Sequence, residues 1–381
     1  MMEASGGHDD LTAGIFGDSA FETPQTEPKE FKPWHKPRKQ FVRREQLSAL
    51  LQRLYEDRAP EDPLRYLGLP GTDLIDLRYL YDQLCRSESR PLRFLGFNTE
   101  AQRGNPAHVQ LNISLDEVSR LPNVDPQSEV IHDDFRQIGD SDSIAWDRTL
   151  KHGPFDVVNI DLCDGLASDP PGINRSIYRA IDQLTAFQAR NPTPWLLLVS
   201  TRIGRERFDS EAEDRLMVRF RENVDTCDGF AEAWEELLKS DVKSIDPATC
   251  SALDFLNLMI VAIGKWLSAL AQTHGRSRVE LASTQGYRVE AGSVEADLVS
   301  LAFRVNPVIE ASPDALSPTP STPEDECTTA KAILRRSTRR LDVDTILEQR
   351  PDLFEELISE TERLLSDARY ETAGYRQWLE T

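Results

Sequence analysis

Five cysteines, at positions 85, 163, 227, 250 and 327, are all that the 381 residues hold, and no two of them form Cys-x-x-Cys. That scarcity excludes a disulfide-dense secreted scaffold. With no leader-like stretch in the acidic, Gly-rich N-terminus, the expectation is reduced thiols in a cytoplasm. The six histidines show no metal-ligand spacing among themselves or with the cysteines, so no metal is expected. Positive charge is also short: 44 Lys and Arg face 65 Asp and Glu, a formal net charge of −21. Such a surface excludes broad adhesion to nucleic acid or anionic membrane, though not a local basic patch. No clean membrane span is present either. The nearest imitation, residues 255–271 (F-L-N-L-M-I-V-A-I-G-K-W-L-S-A-L-A), is interrupted by Asn257 and Lys265 and abutted by Asp254. It falls short of the ~20 apolar residues a span needs, and is expected as a buried core helix with no membrane anchor.

What is present concentrates in residues 153–165, G-P-F-D-V-V-N-I-D-L-C-D-G. Phe155, Val157, Val158, Ile160 and Leu162 form an apolar run too short and too β-branched for a helix, bounded by Gly-Pro and Asp-Gly. A central parallel strand covered on both faces has this pattern. Functional residues in open α/β sheets lie just past the carboxyl ends of such strands, which makes Asp161 and Asp164 the first site candidates. Against that, Asp164-Gly165 also suits a loop cap. Cys163 is assigned to the core, since no histidine is placed to activate it.

Around this stretch the chain alternates strand and helix. Residues 1–30 lack periodicity and are expected to be a disordered tail. Residues 31–59 form a basic arm and a helix. From Lys32 to Arg44 the arm carries six basic residues and no acid, with Trp34 and Phe41 interleaved. It is either a nucleic-acid-binding arm or a strap across the protein's own acidic surface, and the strap is favoured. Strands are expected at 64–71, 91–98, 129–138, within 153–165 and at 194–200. The helices between them include one capped by Thr72, one capped by Ser114 with Glu117 in a capping box, one near 143–150 and one at 174–190. His132 falls inside the third strand and is assigned a structural role. Residues 209–275 form a helical insertion, followed by an antiparallel hairpin at 278–305. Arg202 and Arg205, after the fifth strand, either hold an anion or pair with nearby acids. A Pro-rich linker at 307–330 leads to a helical tail at 331–381, whose first ten residues are basic. The tail's apolar stripe either packs on the body or docks to a protein partner.

Five βα units closed by an antiparallel hairpin resemble the class I S-adenosylmethionine-dependent methyltransferases, over about residues 60–306. The resemblance implies a Rossmann-like α/β fold, a mostly parallel sheet with helices on both faces. It also implies S-adenosylmethionine as cofactor. Gly-x-Gly-x-x-Gly is absent after the first strand, which sets the chain apart from the NAD-binding Rossmann pattern. Carried over by position, the methionine-binding turn falls on Gly68-Leu69-Pro70-Gly71, the ribose-holding acid on Glu100 and the adenine reader on Asp133 or Asp134. The acceptor-facing position falls on Asp161 or Asp164. The chain departs from the pattern in lacking an acid in Leu64-Arg65-Tyr66-Leu67, in the proline of the turn and in the absence of Asn-Pro-Pro-Tyr after the fourth strand. Asp169-Pro170-Pro171-Gly172 comes too late and lacks the aromatic. The basic arm and the 153–165 phrase also resemble segments of bacterial proteins. Two functions follow as expectations. One is a methyltransferase of undetermined acceptor; the other is a catalytically inactive methyltransferase-like scaffold that binds partners in a multiprotein bacterial complex.

Overall fold

The computed structural model of the protein describes residues 29–100, 105–162, 164–169, 175–275, 277–290, 292–307 and 326–380. Most of the expected N-terminal tail, Cys163, the Pro-Pro of 170–171 and most of the expected linker lie outside them. An eight-stranded sheet organises the chain. Its strands are β1 (Leu64–Gly68), β2 (Leu92–Phe97), β3 (Glu129–Ile131), β4 (Val157–Asp161), β5 (Trp195–Arg202), β6 (Arg278–Tyr287), β7 (Leu298–Asn306) and β8 (Leu341–Asp342). They lie in the order β3-β2-β1-β4-β5-β7-β6-β8. The first five are parallel; β7 runs antiparallel to β5 and to β6. This is the Rossmann-like sheet with an inverted end that the resemblance implied. Its strand order reverses between β1 and β4, which opens a crevice at their carboxyl ends.

The apolar strands are explained by what covers them. Leu67, Val158, Ile160, Leu197 and Phe303 pack on one face beneath helices α4 (Ile144–His152), α5 (Ile177–Gln188), α6 (Ser210–Thr226) and α8 (Ala252–Gly275), with α7 (Phe230–Leu238) behind them. Tyr66, Phe94, Val157, Leu196 and Leu198 pack on the other. That second face is covered by helix α1 (37–55), α2 (Ile75–Leu80) and α3 (Pro106–Ser119) through Leu47, Leu51, Leu77 and Leu111. Alternate residues of one strand therefore enter different cores. In β4, Val157, Asn159 and Asp161 face α1, while Val158 and Ile160 face α5 and α8. Among the described residues α8 is the one helix long and apolar enough to cross a membrane, and 72% of its most apolar window is buried inside the protein. It is a core helix.

Several boundaries differ from those expected. The third strand stops at Ile131, because the Asp134 side chain caps a 3-10 turn at Phe135–Gly139 instead. His132 accordingly lies past the strand, edge-on to His108. Thr72 caps nothing: α2 starts at Ile75 behind Leu74, which takes left-handed φ of 54°. Ser114 is buried inside α3, whose cap is Asn105, and Glu117 pairs with Arg78 and Arg369 rather than closing a capping box. The helix expected from 44 begins at Pro37 and runs through a wider π-type turn at Arg43–Ser48.

The tail comprises α9 (Glu326–Ser337), β8, α10 (Val343–Gln349), α11 (Pro351–Asp367) and α12 (Tyr375–Leu379). It adds β8 parallel to β6. Its apolar stripe is covered by the body: Leu347, Leu353 and Leu357 meet Phe41, Val42 and Tyr287, while Ile358, Leu364 and Leu365 meet Ile75 and Tyr79. The expectation of reduced thiols needs correcting. Cys227, just past α6, and Cys327, in α9, form a disulfide with Cα atoms 5.2 Å apart. Their 100-residue separation in sequence concealed the pair.

Candidate functional site

A cleft of about 680 Å³ lies at the carboxyl ends of β1 to β4, within the size range of small-molecule sites. Its floor comes from the strand ends and its roof from the arm. Gly71, Glu100, Asp133, Asp134, Asp161 and Asp164 all line it. Six of the seven residues placed there by position are thus brought together.

Gly68 is the exception. A Cβ on Gly68 would lie 2.3 Å from the Tyr66 hydroxyl oxygen. The glycine makes room for that ring, not for a ligand. The buried Tyr66 hydroxyl accepts a hydrogen bond from Asn159 Nδ2 at 3.1 Å, and burial raises its pKa well above the usual value. The neighbouring turn depends on a different glycine. A Cβ on Gly96 would come within 2.8 Å of the Pro70 ring, so β2 needs glycine there for the Leu69-Pro70-Gly71 turn to pack onto it. Asn98 Nδ2 donates to Pro70 O at 2.9 Å and fixes the same turn.

The acids at the cleft divide by their partners. Asp134 caps Arg136 N at 2.9 Å and pairs with the Arg136 guanidinium at 2.6 Å, while Arg136 also reaches Asp169 at 3.2 Å. Its carboxylate is engaged in building the rim. Asp164 accepts from Gly165 N at 2.9 Å and faces Arg207 at 3.5 Å with a largely exposed side chain, the arrangement of a loop cap. Asp161 is different: Lys39 Nζ lies 2.6 Å from its carboxylate. Burial works against the Lys39 charge, but Asp161 foremost among the surrounding groups holds the lysine above its ordinary pKa. Asp133 accepts from Asp134 N at 2.7 Å and carries no ion pair among the described residues. Nor does any described residue form an ion pair with Glu100, which stands exposed just past β2.

The roof was not foreseen from the sequence. Arg43 is 4% exposed and pairs with Asp76 at 2.5 Å. Burial opposes the Asp76 charge, yet Arg43 and Lys39 outweigh it and hold that carboxyl below its usual range. Trp34 reaches over the mouth, with its indole nitrogen 3.9 Å from where a Gly71 Cβ would be. Five of the arm's six cations are paired with the protein's own acids. Lys32 meets Glu30, Arg38 meets Asp344, and Arg44 meets Glu356 and Glu360, beside Lys39 and Arg43 as above. The sixth, Lys36, lies 5.5 Å over the Trp378 ring. The segment lies along its own molecule as a strap. Arg202 pairs with Asp297 at 3.1 Å and Glu290 at 3.3 Å, and Arg205 donates to Pro247 O at 2.8 Å. Among the described residues no group of three or more His, Cys, Asp or Glu is placed to hold a metal ion.

A family model described as PP_RS20740-like matches residues 28–380. The chain belongs to the PP_RS20740-like family. No protein of curated function matches it. Among solved structures, the PP_RS20740-like chain is similar to a protein of Listeria monocytogenes assigned to the class I S-adenosylmethionine-dependent methyltransferases. Identity is 11% and the TM-score 0.36, over 75% of this chain and 65% of that one. It is also similar to the DszA carbon methyltransferase, with 11% identity and a TM-score of 0.32, over 69% of this chain and 53% of that one. The chain thus spans just under two thirds and about half of those proteins' lengths.

Proposed function

We propose that this PP_RS20740-like protein is an S-adenosylmethionine-dependent methyltransferase whose cofactor lies in the cleft between the strand ends and the arm. The observation that carries the reading is a coincidence of topology and chemistry. The sheet order with its inverted β7 puts Glu100 and Asp133 past successive strands on one cleft, and neither carboxylate is held in an ion pair among the described residues. Carboxylates left unpaired on a cleft are free to accept hydrogen bonds from a polar ligand that enters it.

The residues suit the cofactor at two points. Glu100 can accept two hydrogen bonds from a vicinal diol, and Asp133 can accept from an exocyclic amine. Bound there, S-adenosylmethionine would supply an electrophilic methyl group. The chain's own contribution is to align the acceptor and keep water out, with Trp34 and the arm closing the cleft from above. Asp161, at the end of β4 and beside Lys39, is the carboxylate placed to take up an acceptor's proton. Asp164 is a rim residue on this account.

A second reading, a scaffold that has lost its cofactor, is favoured by Tyr66 in place of a first-strand acid and by the Lys39–Asp161 pair across the cleft. The two readings separate in a thermal-shift assay with S-adenosylhomocysteine. The enzyme reading expects the melting temperature to rise with ligand in the native protein and to stay level in Asp133→Ala. A native protein that millimolar ligand leaves unmoved would favour the scaffold.

A further inference from the structure

At the opposite end of β6 from the cleft, the strand and helix α9 bound a groove of about 290 Å³. Tyr287 lines the cleft, whereas Arg278 and Val279 line the groove. At ~3.3 Å per residue the two sites stand roughly 30 Å apart along the strand. Helix α9 presents Thr329, Ile333 and Arg336 on one flank of the groove, with Arg335 and Arg339 beside them. Residues three and four apart share a helix face.

Arg335, Arg336 and Arg339 are exposed. Arg336 pairs with Glu280 at 3.1 Å, while among the described residues no ion pair engages Arg335 or Arg339. Arg335 and Arg339 thus bring two guanidinium groups without counter-ions to one groove of a chain of net charge −21. Behind them Thr329 is 5% exposed, and its buried Oγ1 has no hydrogen-bond partner.

We propose that this groove binds a small phosphorylated molecule. Guanidinium forks match phosphate oxygens two at a time. Val279, Leu281 and Ile333 give the organic part of the ligand an apolar floor. The groove's volume suits a single small molecule, and the acidity of the remaining surface repels a long polyanion.

The test is calorimetric titration of the full chain with phenyl phosphate, with inorganic phosphate alongside. Phenyl phosphate is expected to bind, and to bind more tightly than phosphate alone. In Arg335→Gln/Arg339→Gln the affinity should fall by about tenfold or more, as losing charge-assisted hydrogen bonds predicts. Glu100→Ala, at the distant cleft, should leave it unchanged. Both arginines are exposed, so unchanged melting without ligand certifies the fold of the double variant. Binding that survives the double substitution, or no binding of either probe, would overturn the proposal. Phosphatidic acid vesicles and an oligothymidylate are offered in parallel. Capture of either one without phenyl phosphate binding would assign the arginines to a lipid or polyanion surface and overturn it as well.

Discussion

His35 joins the arm to the tail and makes the protein's stability depend on pH. It is 1% exposed, its Nδ1 accepts from Lys32 N at 3.1 Å, its ring lies 5.0 Å from that of Tyr370, and its carbonyl accepts from the Tyr375 hydroxyl. Burial first, and the nearby Arg43 charge second, push the imidazole down to about 3. The native state therefore keeps it neutral, while an unfolded chain protonates it near its ordinary value of 6.5. Stability is unaffected above that value and falls as pH drops from it towards 3, by up to about 1.4 kcal/mol per unit. Denaturant titrations at about pH 7.5 and about pH 5 should show that loss. His35→Phe should flatten it, and an unchanged slope would contradict the assignment. At this scale the sequence revealed types of residue but few partners. Asp161 was visible as an acid ending a buried strand, but nothing local tied it to Lys39. Asp133 and Asp134 were indistinguishable until the turn after β3 showed which one caps it.

Strands and amphipathic helices were legible because their faces are set by local periodicity. The buried run of β4 and the stripe of α5 each need only a few consecutive residues to be read. The inverted hairpin of β6 and β7 was visible for the same reason. Strap and tail were legible only as alternatives, since the deciding contacts span most of the chain. Lys29 reaches Asp73 at 2.7 Å, and the hydroxyl of Tyr370 reaches the same carboxylate at 2.6 Å. Phe31 sits among the rings of Tyr370, Tyr375 and Trp378. The arm is held between cleft acids on one side and the tail on the other. Removing residues 343–381 should therefore lower the melting temperature markedly, since each buried leucine of the stripe stabilises by roughly 1.5–3 kcal/mol. A truncated chain that melts with the full one would contradict this packing. Neutralising Lys36, Arg38 and Lys39 should likewise reduce stability. Were it instead to abolish a salt-sensitive affinity for oligonucleotide and leave melting unchanged, the segment would be a nucleic-acid arm.

Across the whole molecule, the disulfide ties the helical insertion to the start of the tail. Closing a loop of this length constrains the unfolded chain, and such a bond typically stabilises by about 2–4 kcal/mol. Reductant or Cys227→Ser should each lower stability by that order in an otherwise unchanged denaturation curve, and a curve indifferent to both would show that the thiols are not paired. The arm lines the cleft and the tail packs against the arm, so both bear on that site. Calorimetric titration with S-adenosylmethionine, on the native protein and on Glu100→Ala, tests its assignment most directly. The native protein is expected to bind at micromolar ligand, and the substitution to remove that binding. A folded native protein that gives no heat at millimolar ligand, or a variant that binds as well as the native protein, would contradict it.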